Sequence, residues 1–128
     1  GTSIYVYNSA TPYKGGTPSG VFHKTNDAGK WIQFAWTLSK PTGADYTNTS
    51  TTTIYKNILG STFSSLPYYT NNAYAYPTIV QRTSNFIGKS NWTADPPADG
   101  QIDDFRIYNR VLSAAEIEIL FNNKTSLP

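Results

Sequence analysis

The run Gly100-Gln-Ile-Asp-Asp-Phe-Arg-Ile-Tyr-Asn-Arg-Val-Leu-Ser-Ala-Ala-Glu-Ile117 constrains this chain more than any other stretch. It reads as a strand, a tight corner and a helix start within eighteen residues. Residues 101–108 make the strand. Ser113 is placed as an N-cap, and Glu116, three residues on, completes a capping box. Leu112 before the cap and Ile117 after it are spaced for a hydrophobic staple. Ile117, Leu120 and Phe121 form the stripe such a helix would bury, and Asn122 and Asn123 end it after about two turns.

A chain of 128 residues has room for one two-layer core, so 1–128 is read as a single domain. Hydrophobic residues make up 38% and charged residues only 14%, and Thr, Ser, Asn, Gly, Pro and Tyr fill the difference. Thr and Tyr suit pleated strands while Asn, Gly and Pro suit turns, which predicts an all-β protein. Aromatics at 15% with low charge set it apart from a disordered chain. The ten Lys and Arg residues are scattered, so no basic stripe exists to follow a phosphate backbone, and nucleic acid is not an expected partner. Without cysteine there is no disulfide framework, thiolate chemistry or zinc–sulfur site. No apolar run reaches the length of a membrane span.

Further strands are read from alternation. Residues 4–8 read as a short strand, and Val21-Phe-His23 comes after a turn-rich run. Across residues 30–39, Ile32, Phe34, Trp36 and Leu38 fall on one face and Gln33, Ala35, Thr37 and Ser39 on the other. The first face is expected to be core, worth roughly 1.5–3 kcal/mol for each side chain. A turn at 40–45 leads to a Thr-rich strand over about 51–59, ended by Gly60. Residues 61–83 are aromatic-rich without strong period apart from Thr78-Ile-Val80. Asn85-Phe-Ile-Gly-Lys89 is a short strand, and 91–100 is a loop before the last one.

Three of these segments, in order, resemble the laminin-G-like domains of the concanavalin A-like lectin/glucanase superfamily. Gly29-Lys-Trp-Ile-Gln-Phe-Ala-Trp-Thr-Leu38 resembles the family's gly-lys-trp-his-his-val-ala strand, and Thr53-Ile-Tyr-Lys-Asn57 its leu-tyr-val-asn-gly hairpin. Asn85-Phe-Ile-Gly-Lys89 with the run 100–117 resembles its last two strands and closing helix. The resemblance implies an antiparallel jelly-roll β-sandwich with one short C-terminal helix, its interior taking in Phe34, Trp36 and Ile107. It also implies a binding member on an extracellular, cell-surface or virion-surface protein. The chain departs from the pattern twice. Ile58 follows Asn57 where the family has Gly, which predicts a hairpin that is lengthened or replaced. The residues before the tryptophan strand are too few for the family's usual first strands. Either the module is pared down, or 1–128 is the C-terminal part of a longer surface protein whose neighbouring domain or partner chain covers the open edge.

Catalytic chemistry is thin. His23 is the sole histidine, so two-histidine zinc binding is excluded, and it is read as a polar strand-end residue. The superfamily's glucanases, by resemblance, carry alternating carboxylates on one strand, whereas here only Asp103 and Asp104 adjoin, and neighbours on a strand face opposite ways. The chain is therefore read as not an enzyme. One of the two aspartates is expected to pair with Arg106 or Arg110 and lock the last strand to the helix. Calcium is the one cofactor considered, through oxygens of Asp95 and Asp99 with Asn91 and Asn72, but no spaced calcium loop is present. Asn48, Asn91 and Asn123 begin glycosylation sequons, which a chain so rich in Asn, Ser and Thr also produces by chance.

The strongest binding signal is Leu66-Pro-Tyr-Tyr-Thr-Asn-Asn-Ala-Tyr-Ala-Tyr76. Sugars offer flat C–H faces to aromatic rings and hydroxyls to amides. Tyr68, Tyr69, Tyr74 and Tyr76, interleaved with Asn71 and Asn72, supply both on an expected loop, and Trp92 is a second aromatic in a loop. The expected partner is a glycan or cell-wall polysaccharide, making the chain a carbohydrate-binding or adhesion module. Tyrosines also pack well over a sheet, so the competing reading is a structural module (capsid, fibre or filament subunit) that associates with copies of itself. A polysaccharide-degrading enzyme is the remote third.

Overall fold

The structure is a computed structural model that describes residues 21, 25–40, 50–74, 76–77, 81, 83–90 and 92–124, with backbone alone at 73, 74 and 124. The expected strands at 4–8 and 78–80, the bulk of the turn at 40–45, and His23, Asn48 and Asn91 lie outside these residues. The chain divides into two compact units, Gly1–Thr78 with Asn109–Pro128, and Ile79–Tyr108.

In the first unit, β1 (Ile32–Leu38), β2 (Ser50–Ile58) and β3 (Tyr69–Tyr74) form an antiparallel sheet in the order β1-β2-β3. The turn before β1 closes through Lys30 N–H donating to the Asp27 carbonyl (3.2 Å), and Gly29 takes the positive φ of 71° that this reversal needs. β1 pairs with β2 without slippage, from Ile32 opposite Ile58 to Leu38 opposite Thr52. Ser39 extends the ladder, its N–H donating to the Thr51 carbonyl while its hydroxyl accepts from Thr51 N–H.

β2 runs on through Ile58, and residues 59–68 carry the chain to β3, so the lengthened connection expected from the absent glycine is what forms. Gly60, with φ of 86°, turns the chain just beyond the strand. Asn57 anchors the connection, its Oδ1 accepting from Ser64 N–H at 2.7 Å.

β3 overturns the expectation of a loop at Tyr69–Tyr74. Its two adjacent asparagines hide the strand, because Asn is a turn-former whose preference is overridden here by pairing with β2. Pairing steps from Ser50–Tyr74 to Thr52–Asn71, so a bulge sets two residues of β3 against Thr51.

The helix, α1, spans Ala114–Lys124, a turn longer than expected. Its N-terminus is the capping box read from the sequence. Ser113 N–H donates to Glu116 Oε2 (2.8 Å), and Glu116 N–H donates to Ser113 Oγ (3.3 Å). Arg110 grips the same carboxylate with two parallel bonds, of 3.0 and 2.6 Å. Leu112, Ile117 and Phe121 are buried as the staple and stripe require, with Phe63 against Phe121 at 5.6 Å between centroids. Gln33 donates from Nε2 to the Ile117 carbonyl (3.1 Å), tying α1 to the sheet.

Among the described residues the second layer of a sandwich is absent, and the sheet has three strands. Full burial in the sheet is found on β2, where Ser50, Thr52, Ile54 and Asn57 are all buried. The expected core face of β1 is half-buried instead. Phe34 is intermediate and Trp36 is 38% exposed, and among the described residues β1 pairs on one side only.

The unit Ile79–Tyr108 corrects two more expectations. Neither 85–89 nor 101–108 forms a strand. Regular strand backbone keeps φ negative, and each segment is interrupted by a left-handed residue: Gly88 at 72° and Asp104 at 53°. Asp104 pairs with Arg106 at 2.6 Å, as expected of one of the two aspartates, while Arg110 pairs with Glu116 at the start of the helix. Ile107, expected inside, is 83% exposed.

The bonds from Arg110, then from the Ser113 backbone and hydroxyl, hold the Glu116 carboxyl from an ordinary 4.5 down to about 2. A carboxyl depressed on folding stabilises the fold above its unfolded value, and that contribution drains away as pH falls from about 4.5 towards 2. Melting temperature should accordingly fall more steeply with acid over this window in the native chain than in Glu116→Gln, as followed by circular dichroism. Parallel profiles would show that the cap carries no such linkage.

Candidate functional site

Pleating gives directly opposed residues the same face, so the two registers assemble rows of side chains across the sheet. One row is Trp36–Ile54–Tyr69 and the next is Leu38–Thr52–Asn71. On the other side of the first row, Phe34 stands opposite Lys56. An aromatic residue of β1 thus shares a face with an aromatic residue and an amide of β3, with Ile54 fully buried between them.

Hydrogen bonds hold both rings. Trp36 Nε1 donates to Thr52 Oγ1 at 2.6 Å, and Asn71 Nδ2 donates to the Tyr69 hydroxyl at 3.1 Å. Lys56, on the same face, pairs with Asp27 at 2.6 Å with both side chains only 11% exposed. The Lys56 ammonium also stands 5.2 Å from the centre of the Tyr68 ring, a cation–π contact. The result is a face with fixed rings, an amide and an internally paired charge.

The expected ligand residues separate on this geometry. Tyr69 and Asn71 share the face with Trp36, and Tyr68 flanks it over Lys56. Asn72 goes the other way, accepting at Oδ1 from the hydroxyl of Thr51 (3.2 Å), which faces the opposite side from Thr52. Tyr74 is opposite Ser50 in register, and Tyr76 lies beyond the strand, partly buried. Trp92 belongs to the Ile79–Tyr108 unit and is exposed.

Trp36 is the residue that sequence reasoning assigned elsewhere. Its alternation with Phe34 and Leu38 marks the face correctly, but the period of a strand cannot say whether that face is covered.

Asp95 and Asp99 are exposed, and among the described residues no group of three His, Cys, Asp or Glu side chains comes together. Asn123 is exposed in the last turn of α1. No helix of the described residues is long and apolar enough to cross a membrane.

Comparison with known proteins assigns the class. The model of the laminin-G-like family described as the concanavalin A-like lectin/glucanases superfamily matches residues 3–118. The chain belongs to this family, whose domains are often extracellular, and the exposure of Trp36 and Ile107 does not alter that membership. No curated protein and no solved structure gives a significant match.

The Trp36–Thr52 bond is open to direct test. Thr52→Val keeps the shape of a fully buried residue and removes the acceptor, and should cost about 1 kcal/mol of stability in urea denaturation. In a nitrogen-correlated NMR spectrum the Trp36 indole N–H should shift and exchange faster, with the signals of Trp31 and Trp92 unmoved.

Proposed function

We propose that this chain is a non-catalytic carbohydrate-binding module of β-sandwich build, acting on an extracellular, cell-surface or virion-surface protein. The observation that carries the reading is the row Trp36–Ile54–Tyr69 with Asn71 beside it. Aromatic rings pre-set by hydrogen bonds spend little entropy when a sugar stacks on them, and a neighbouring amide meets hydroxyls. The Asp104–Arg106 ion pair supports the non-catalytic side of the reading, since it commits one of the two adjacent carboxylates to its own chain. A glycan array probed with folded protein should retain at least one glycan class, and Trp36→Ala should weaken that binding about tenfold, the worth of one aromatic contact near 1.4 kcal/mol. A well-folded sample that retains nothing counts against the proposal.

A second reading, a self-assembling structural module, draws on the Ile79–Tyr108 unit. Phe86, Ile87, Trp92, Ile102, Phe105 and Ile107 are all at least half exposed, and contiguous apolar surface of this kind marks association sites. Sedimentation velocity separates the readings: assembly predicts association that rises with concentration, and a clean monomer at high concentration removes it.

A further inference from the structure

The Ile79–Tyr108 unit says more about the self-associating reading above, on which this inference rests. Of the residues described between 83 and 108, none is buried and Ser90 alone is half-buried. A segment of this length that buries no side chain gains little from the hydrophobic effect to offset the entropy of ordering it. Its six large apolar side chains stabilise it only when something covers them. At the half or more that each shows to water, they offer roughly 700 Å², close to the roughly 800 Å² per partner that a stable protein interface buries.

Charge selects the cover. Ala98 N–H donates to the Gly88 carbonyl at 2.7 Å and closes residues 88–98 into a loop. Lys89 is on this loop, its ammonium 5.0 Å from the centre of the Phe86 ring. Trp92 and Asp95 are on it too, joined by a 3.1 Å bond from Asp95 N–H to the Trp92 carbonyl, and Asp99 follows directly after the closure. Among the described residues Lys89, Asp95 and Asp99 have no ion-pair partner, and all three are exposed. One short loop therefore presents apolar rings, a cation and two carboxylates. Such a surface is complementary to a copy of itself, because a two-fold axis brings each cation to the other copy's carboxylates. A phosphate backbone or an anionic lipid surface matches only one of the two signs. The net charge of +2 leaves little repulsion between copies.

We propose that the Ile79–Tyr108 unit is a two-fold interface with a second copy of this chain. Trp92, Phe86 and their apolar neighbours meet their counterparts, while Lys89 of each copy meets Asp95 and Asp99 of the other. A contact of this kind closes at two copies, unlike a capsid, fibre or filament contact, which propagates.

Sedimentation velocity of the whole chain over a concentration series tests the closure, and monomer should convert to dimer and to nothing larger. Trp92→Ser should raise the dimer dissociation constant about tenfold or more, as loss of an aromatic anchor does. Lys89→Glu should weaken the dimer, and so should Asp95→Lys combined with Asp99→Lys. Mixing these two variants should restore it, since each cation then meets the other copy's carboxylates. The substituted positions are all exposed, and circular dichroism checks that each variant keeps the native spectrum. Growth beyond two copies, a dimer indifferent to Trp92→Ser, or no recovery on mixing overturns this inference and leaves self-association standing. A chain that stays monomeric at every concentration overturns both, and a monomer that sediments with phosphatidylcholine vesicles assigns the face to lipid instead.

Discussion

β2 pairs with a strand on each side, and that double pairing organises the first unit. Because its register to β1 runs without a break and its register to β3 slips only at the Thr51 bulge, three residues from three parts of the sequence become one row. A slip of one residue on either side would turn Trp36 or Tyr69 to the opposite face, since strand side chains alternate. The bulge lies beyond Asn71, towards the Ser50 end, so it leaves the Trp36–Ile54–Tyr69 row in step and shifts only the pairing of Ser50 with Tyr74. Among the described side chains of the sheet the fully buried ones are on β2, and Trp36 of β1 is 38% exposed.

The polar groups of this sheet are as informative as its apolar ones. Gln33 and Asn57 stand opposite each other, and each ties the sheet to chain beyond it: Gln33 to the Ile117 carbonyl of α1, Asn57 to Ser64 of the long connection. Each also keeps one buried amide atom without a hydrogen bond, Oε1 of Gln33 and Nδ2 of Asn57. Unsatisfied buried groups oppose folding, and these two are a complementary acceptor and donor on facing residues. On the opposite face Lys56 and Asp27 are nearly covered, which puts an ion pair where the flanking aromatic rings would otherwise meet a bare ammonium. Such a pair adds little net stability over apolar packing, but removing one partner strands the other. Its consequence here is electrostatic silence.

Membership of a family of lectin- and glucanase-like domains sets expectations at the level of the fold, while chemistry belongs to particular side chains. The residues that make the candidate platform are not those that carry the family signature most strongly. The closing run 100–117 contributes the helix cap and the Arg110–Glu116 clamp, both structural. The platform comes from the tryptophan strand and from a strand whose composition disguises it.

Local chemistry was legible from the sequence wherever a few adjacent residues settle the outcome. The Ser113–Glu116 box, the Leu112–Ile117 staple and the two faces of β1 depend on contacts within a turn or on strict alternation, and all stand in the structure. Tertiary structure decided the rest. Asn-rich β3 becomes a strand because β2 supplies partners that outweigh its turn preference, and 101–108 does not because Asp104 takes a left-handed backbone and pairs with Arg106. Whether Trp36 faces core or solvent depends on what lies across the sheet, and alternation, a property of one strand, carries no information about a second layer. The union of Trp36, Tyr69 and Asn71 on one face is likewise a fact of register between distant segments, which only the folded chain expresses.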